Sequence, residues 1–325
     1  MKTTFHTLAL AALAALSALP VAGHAQTPWP EKSVRIVVPY VPGGTTDYAA
    51  RQIAAKLSEQ TRQTFYVENK PGASGTIGTS FVAKAAPDGY TLLANDTTYT
   101  MLPSLFAKLP WNYDTDMIPV TTIAHTPVIL IVAANSPYKS LNELIAHAQK
   151  NPDKLNFGSG GSGSSTHLAA EVFKKEAKAP IMHVPYKGAG EAMLGLISNQ
   201  VDLLVTASPT AVPQIKGGKV RALAVTGEQR LSSLPDVPTF KEAGLPSYSV
   251  TNWFGLTAPK GTPKEVIAKL HALVNKALED KGLRDQFAQQ GAQVGGMSSE
   301  QFSDLVRRDA ALWRAAAKDA KIQPE

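Results

Sequence analysis

Residues 154–177 read KLNFGSGGSGSSTHLAAEVFKKEA. The order is a strand, then a run at 158–167 of four glycines, four serines, one threonine and one histidine, then a helix. A flexible linker has this composition too, but a linker is not normally squeezed between a strand and a helix. A helix start leaves roughly four backbone N–H groups without intrahelical partners. The aligned peptide dipoles add about half a positive charge there. Glycine lets the backbone approach a guest, and hydroxyls add adjustable donors. The run is therefore suited to an anion, with Ser159, Ser164, Ser165 and Thr166 as donors and His167 in the first helical turn.

The same order occurs earlier. SVRIVVPY reads as a buried strand, PGGTTD at 42–47 as the loop, and YAARQIAAKLSEQ as a helix with Ala49, Ile53 and Leu57 on one stripe. In this loop Gly43, Gly44, Thr45 and Thr46 are the donors, and Asp47 falls in the first turn, where it caps or orients the loop. Each of these helices is followed by a strand, a second helix and a third strand. The spacing from Gly43 to Lys70 is 27 residues and from Ser159 to Lys187 is 28. We read this as an internal repeat of parallel βαβ units, one α/β lobe per copy.

Two β-rich segments, 119–135 and 248–259, lie between the copies and after the second. They are expected to be crossover strands. The expected division is residues 26–123 plus 252–325 for lobe 1 and 124–251 for lobe 2, with helices after 259 returning to lobe 1. Thr262 with Glu265, Ser298 with Gln301, and Ser140 with Glu143 have capping-box spacing. Gly291 is placed to end a helix. The ligand cleft is expected between the lobes, at the C-terminal ends of the strands. Tyr40 and Trp253 either line it or belong to the core.

Residues 1–25 have the form of a secretory leader: Lys2, an apolar run over 8–19, and small residues at Gly23 and Ala25 before a cut after Ala25. That run is shorter than the roughly 20 residues needed to span a bilayer. The chain has no cysteine, so disulfides, thiolate metal sites and a cysteine nucleophile are excluded. Net charge is +6, or +5 once Lys2 is lost with the leader. No basic run with interleaved aromatics appears, so nucleic acid is not expected as a partner. Gly158, Gly160 and Gly163 spell GxGxxG, but HVPYKG after the next strand lacks the acid a dinucleotide site needs. There is no GxSxG or HExxH, and the histidines are scattered. No cofactor, metal or catalytic residue is expected.

The stretches VPYVPGGTTDYAAR, VENKPGASGTIG, PDGYTLL, GSGGSGSSTHLAAEVFK, VPYKGAGEAM, VRALAVTGEQR, LPDVPTFKEAGLP and WFGLTAPKGTP resemble the solute receptors of tripartite tricarboxylate transporters, the Bug or TctC-like family. The resemblance implies a two-lobed type II periplasmic-binding-protein-like α/β fold, with lobes joined by two crossover strands. It implies capture of a small organic acid and delivery to membrane transporter subunits or a sensor kinase. The leader and the lack of a second long apolar run point to an exported periplasmic protein that is not embedded in the membrane; a monomer without enzymatic activity is expected. An exported hydrolase on the same scaffold is the alternative. By motif, the carboxylate-holding positions fall on Gly43, Gly44, Thr45 and Asp47, and on Ser159, Ser164, Thr166 and His167; Gly160 in the same loop is also expected to bind ligand. The loop near Asn95–Thr98 faces ligand in the family, which puts Asn95, Thr97 and Thr98 among the expected binding residues. After VDL the family often carries an Asp-Asn pair; Thr206 and Ala207 stand here, which favours a plain di- or tricarboxylate or an aromatic acid over an amino acid.

Overall fold

Strand β1 (Val34–Val38) has the burial of a strand covered on both sides. Val34, Ile36 and Val38 enter one apolar cluster and Val37 another, the period of two that a pleated strand imposes. The computed structural model describes residues 29–324; the leader expected at 1–25 lies outside them.

From β1 the chain runs through helix α1 (Thr45–Thr61), β2 (Phe65–Asn69), α2 (Thr76–Ala83), β3 (Thr91–Asp96) and α3 (Thr98–Leu105). The second copy comprises β5 (Asn156–Ser159), α5 (Ser165–Ala177), β6 (Met182–Pro185), α6 (Ala189–Ile197), β7 (Leu203–Ala207) and α7 (Ser208–Lys216), preceded by α4 (Leu141–Lys150). Parallel pairing puts β1 between β2 and β3, and β5 between β6 and β7. The repeat read from the sequence is thus present as topology.

One long strand, β4 (Met117–Ala133), joins the halves. Its residues Met117–Pro127 pair antiparallel with β9 (Thr251–Pro259), and Val128–Val132 pair with β7. Strand β8 (Val220–Val225) also pairs with the second half of β4. The second expected crossover is different. Strand β9 pairs only with β3 and the first half of β4; the chain crosses just before it, since Tyr248 and Val250 are still in the second lobe's core.

After β9 come α8 (Lys264–Leu278), α9 (Lys281–Gln289), β10 (Gln293–Val294) and α10 (Ser299–Asp319). Ser298 and Gln301 form the expected capping box, Ser140 caps α4, and Gly291 at φ 70° follows the end of α9. Thr262 does not cap α8: its hydroxyl donates to the Pro259 carbonyl, and the helix starts after Pro263. Helix α10 does not stay with the first lobe. Phe302, Leu305 and Val306 pack in a lobe 1 cluster, whereas Trp313, Ala316 and Ala317 pack in the lobe 2 core with Phe173. No helix among the described residues is long and apolar enough to cross a membrane.

Candidate functional site

Parallel strands send their C-terminal ends the same way, so the helices that follow them start on one rim. Thr45 and Thr98 of lobe 1 and Ser165, Ala189 and Thr210 of lobe 2 meet at a cleft by the seam in β4. It has two compartments, of about 210 and 140 Å³, joined at Ser165, Ala207 and Asn252. Neither is lined by a lysine or an arginine. No side chain caps α1, whose N-cap is Gly44, nor α6 or α7. These starts keep backbone donors and dipole ends for a guest.

The expected residues Tyr40, Gly44, Thr45, Asp47, Thr97 and Thr98 line the larger compartment, and Thr166 and Thr206 the smaller. Asp47, though on the wall, is turned to the loop. Its carboxylate accepts from the Gly43 amide at 3.0 Å, from Arg51 at 2.9 and 3.0 Å, and from Asn69 at 2.9 Å. Burial alone would raise its pKa; the hydrogen bonds of Arg51, Gly43 and Asn69 together outweigh that and hold it at about 2. The charge is therefore spent inside the protein.

Six expected positions stand behind the wall. Gly43 gives its N–H to Asp47 and supplies only its φ of 88°. Asn95 is buried on β3; the strand's alternation puts Asp96 on the cleft in its place. Ser159 is fully buried, 2.6 Å from His183 Nε2 and bonded to the Gly161 amide. Gly160 donates to Thr166 Oγ1, and Ser164 caps α5 by accepting from the His167 amide. His167 is buried, its Nδ1 accepting the Gly163 N–H at 3.0 Å while its ring stacks on His183 with centroids 3.8 Å apart. That bond places the imidazole proton on Nε2, and burial, helped by Lys174, lowers the pKa to about 4. The ring is neutral and stands behind the loop.

Trp253 is not at the cleft. Its indole is fully buried against Phe302 and donates to Asp309 at 2.9 Å, and its amide donates to Thr97 Oγ1. Its strand neighbours Asn252 and Phe254 face the cleft instead. Asp96, inside the loop at 95–98 expected to face the ligand, was not among the individually expected site residues. It accepts from Tyr40 Oη at 2.9 Å, from the Thr98 amide at 2.9 Å and from Thr46 Oγ1 at 2.6 Å. Burial and this carboxylate push the Tyr40 phenol well above its usual range, so Tyr40 stays a donor. The available signal was position: Asp96 ends β3 as Ala207 ends β7, directly before a helix.

Residues 49–321 match the TctC family, the receptors of the tripartite tricarboxylate transporter family. This chain belongs to that family. The TctC family match is echoed by a curated relative, BugT of Bordetella pertussis, 33% identical with 90% of each chain covered. A Rhodopseudomonas palustris protein solved with adipate is 36% identical, with TM-score 0.77, covering 91% of this chain and 100% of its own. The malate-bound MatC of the same organism is 35% identical, with TM-score 0.73, covering 89% and 100%. The two-lobed periplasmic-binding-protein fold follows from these relatives and from the topology above. Among the described residues no cluster of three or more His, Cys, Asp or Glu could hold a metal ion.

Proposed function

We propose that this TctC-family receptor captures a small organic carboxylate, a di- or tricarboxylate or an aromatic acid, between its lobes and hands it to the membrane subunits of a tripartite transporter. The observation that carries the reading is a cleft free of cationic side chains on which three helices, α1, α6 and α7, start without a side-chain cap. A guest carboxylate completes such starts as a capping side chain would, and each hydrogen bond to a charged group contributes about 1.5–3 kcal/mol. The adipate and malate held by the similar proteins support the ligand class.

In this reading one acid group sits at the Gly44, Thr45 and Thr46 backbone, with Thr98 beside it. The other end lies against Ser165, Thr166 and Thr206. Asp47, His167, Gly43, Ser159, Gly160 and Ser164 shape the loops from behind. The protein works as a monomeric binder in the periplasm, freed from its leader, and releases its ligand unchanged. A sensor kinase is the other partner consistent with the family resemblance. A thermal-shift screen of mono-, di- and tricarboxylic and aromatic acids tests the ligand class. A ligand at 100 times its dissociation constant adds about 2.7 kcal/mol of stability. If no acid raises the melting temperature, or if an acid is chemically altered on incubation, the reading fails.

A further inference from the structure

Away from the cleft, a cavity of about 410 Å³ opens between α3, the loop before β4 and α10. It is larger than either compartment of the cleft. Thr257 of β9 lines it, is 1% exposed, and has a hydroxyl without a hydrogen-bond partner. The Tyr113 hydroxyl, on the same cavity, is also buried without a partner. An unmade bond of this kind costs about 1–3 kcal/mol, which a polar guest reaching either hydroxyl would recover. The Tyr99 and Tyr113 rings, stacked on each other with centroids 4.9 Å apart, form the tyrosine wall of the cavity. Val306 and Ala310 of α10 add apolar surface, and the exposed Arg307 and Arg314 stand on the same helix. Arg307 also pairs with Asp304, which leaves Arg314 as the more available guanidinium.

We propose that this cavity is a second ligand site, for a small hydroxyaromatic carboxylate, whose ring packs on the tyrosine wall, whose hydroxyl answers Thr257 and Tyr113, and whose carboxylate pairs with Arg314. The cavity touches α10 between the residues that pack in lobe 1 and those that pack in lobe 2. It is separate from the cleft, and none of its lining residues is shared with either compartment.

The test is calorimetric titration of the full mature chain with 4-hydroxybenzoate. Thr257→Val and Arg314→Gln should each weaken binding about tenfold, the loss expected for one hydrogen bond to a polar or charged group. Thr257→Val removes an unsatisfied hydroxyl at constant shape, so its melting temperature should not fall; Tyr113→Phe repeats the test at the second hydroxyl. Gly160→Val, whose added atoms crowd Gly188 and Ala189 at the cleft and no residue lining this cavity, should remove any cleft binding of this aromatic acid and leave the Thr257- and Arg314-dependent heat in place. No heat at millimolar ligand, equal affinity in wild type and the hydroxyl variants, or loss of that heat in Gly160→Val would each overturn the proposal.

Discussion

Asp47 and His167 occupy the same place in the two lobes. Each is the third residue of its helix, and each accepts the N–H of the glycine four residues earlier, Gly43 and Gly163, at 3.0 Å. Both glycines are at positive φ, 88° and 76°. One lobe uses a carboxylate charged through Arg51, the other a neutral imidazole. The shared device closes each loop onto the first turn of its helix.

Asp47→Ala and His167→Ala should therefore weaken ligand binding by about tenfold each, the worth of roughly one polar interaction. The double variant should lose close to the product, because distant sites with no shared partner are additive. Calorimetry of the three variants checks this. Unchanged affinity in both singles would show that the loops do not depend on these bonds.

Gly43 and Gly163 differ in what surrounds them. A Cβ at Gly43 meets nothing within 4 Å, so Gly43→Ala should cost only the left-handed conformation, about 1 kcal/mol. A Cβ at Gly163 comes within 2.9 Å of Leu105 Cδ2, across from lobe 1. Gly163→Ala should cost more than Gly43→Ala in both melting temperature and affinity. Equal losses would contradict the packing described.

Asp96 puts a carboxyl group on the wall of the proposed anion site. Asp96→Asn should raise affinity for a plain dicarboxylate several-fold, since like charges repel even at a high effective dielectric constant. The gain should shrink with added salt. Weaker binding of the dicarboxylate by this variant would mean that Asp96 acts through the Tyr40, Thr46 and Thr98 bonds and not through its charge.

The histidines predict acid sensitivity. Burial lowers His125, His167 and His183 to about 4, with His167 and Lys174 adding to the effect at His183 and Lys174 at His167. Unfolded histidine titrates near 6.5, so between about pH 6.5 and 4 the unfolded chain holds more protons. Stability is full above that window and falls as pH drops through it. Asp47, depressed to about 2, adds a loss only below about pH 4. Melting temperature against pH should decline from about pH 6.5, and His125→Leu should flatten the curve. A flat profile down to pH 4.5 would refute these environments.

The α/β alternation and both loops were legible in the sequence because strand and helix periods differ and glycine is unambiguous punctuation. The wall of the cleft was less legible. Whether Trp253 or its neighbours Asn252 and Phe254 face the ligand is a matter of strand parity, which a run with apolar residues on both faces does not reveal. The same parity separates Asn95 from Asp96. Helices α3 and α7 escaped notice because Pro103 and Pro213 lie inside them, against the usual rule. Within the loops, hydroxyl and amide groups of one kind point both to the cleft and behind it. Ser159 and Ser165 have the same chemistry, and only the fold buries one and exposes the other to the cleft.

The most direct measurement is a crystal structure of the receptor with adipate, refined well enough to place both carboxylates. The account predicts one carboxylate within hydrogen-bonding distance of the Thr45 and Thr46 amides at the start of α1, directly or through a single water, with the other end against α5 and no lysine or arginine in contact. An adipate whose acid groups lie on guanidinium or ammonium side chains, or away from both helix starts, would contradict it.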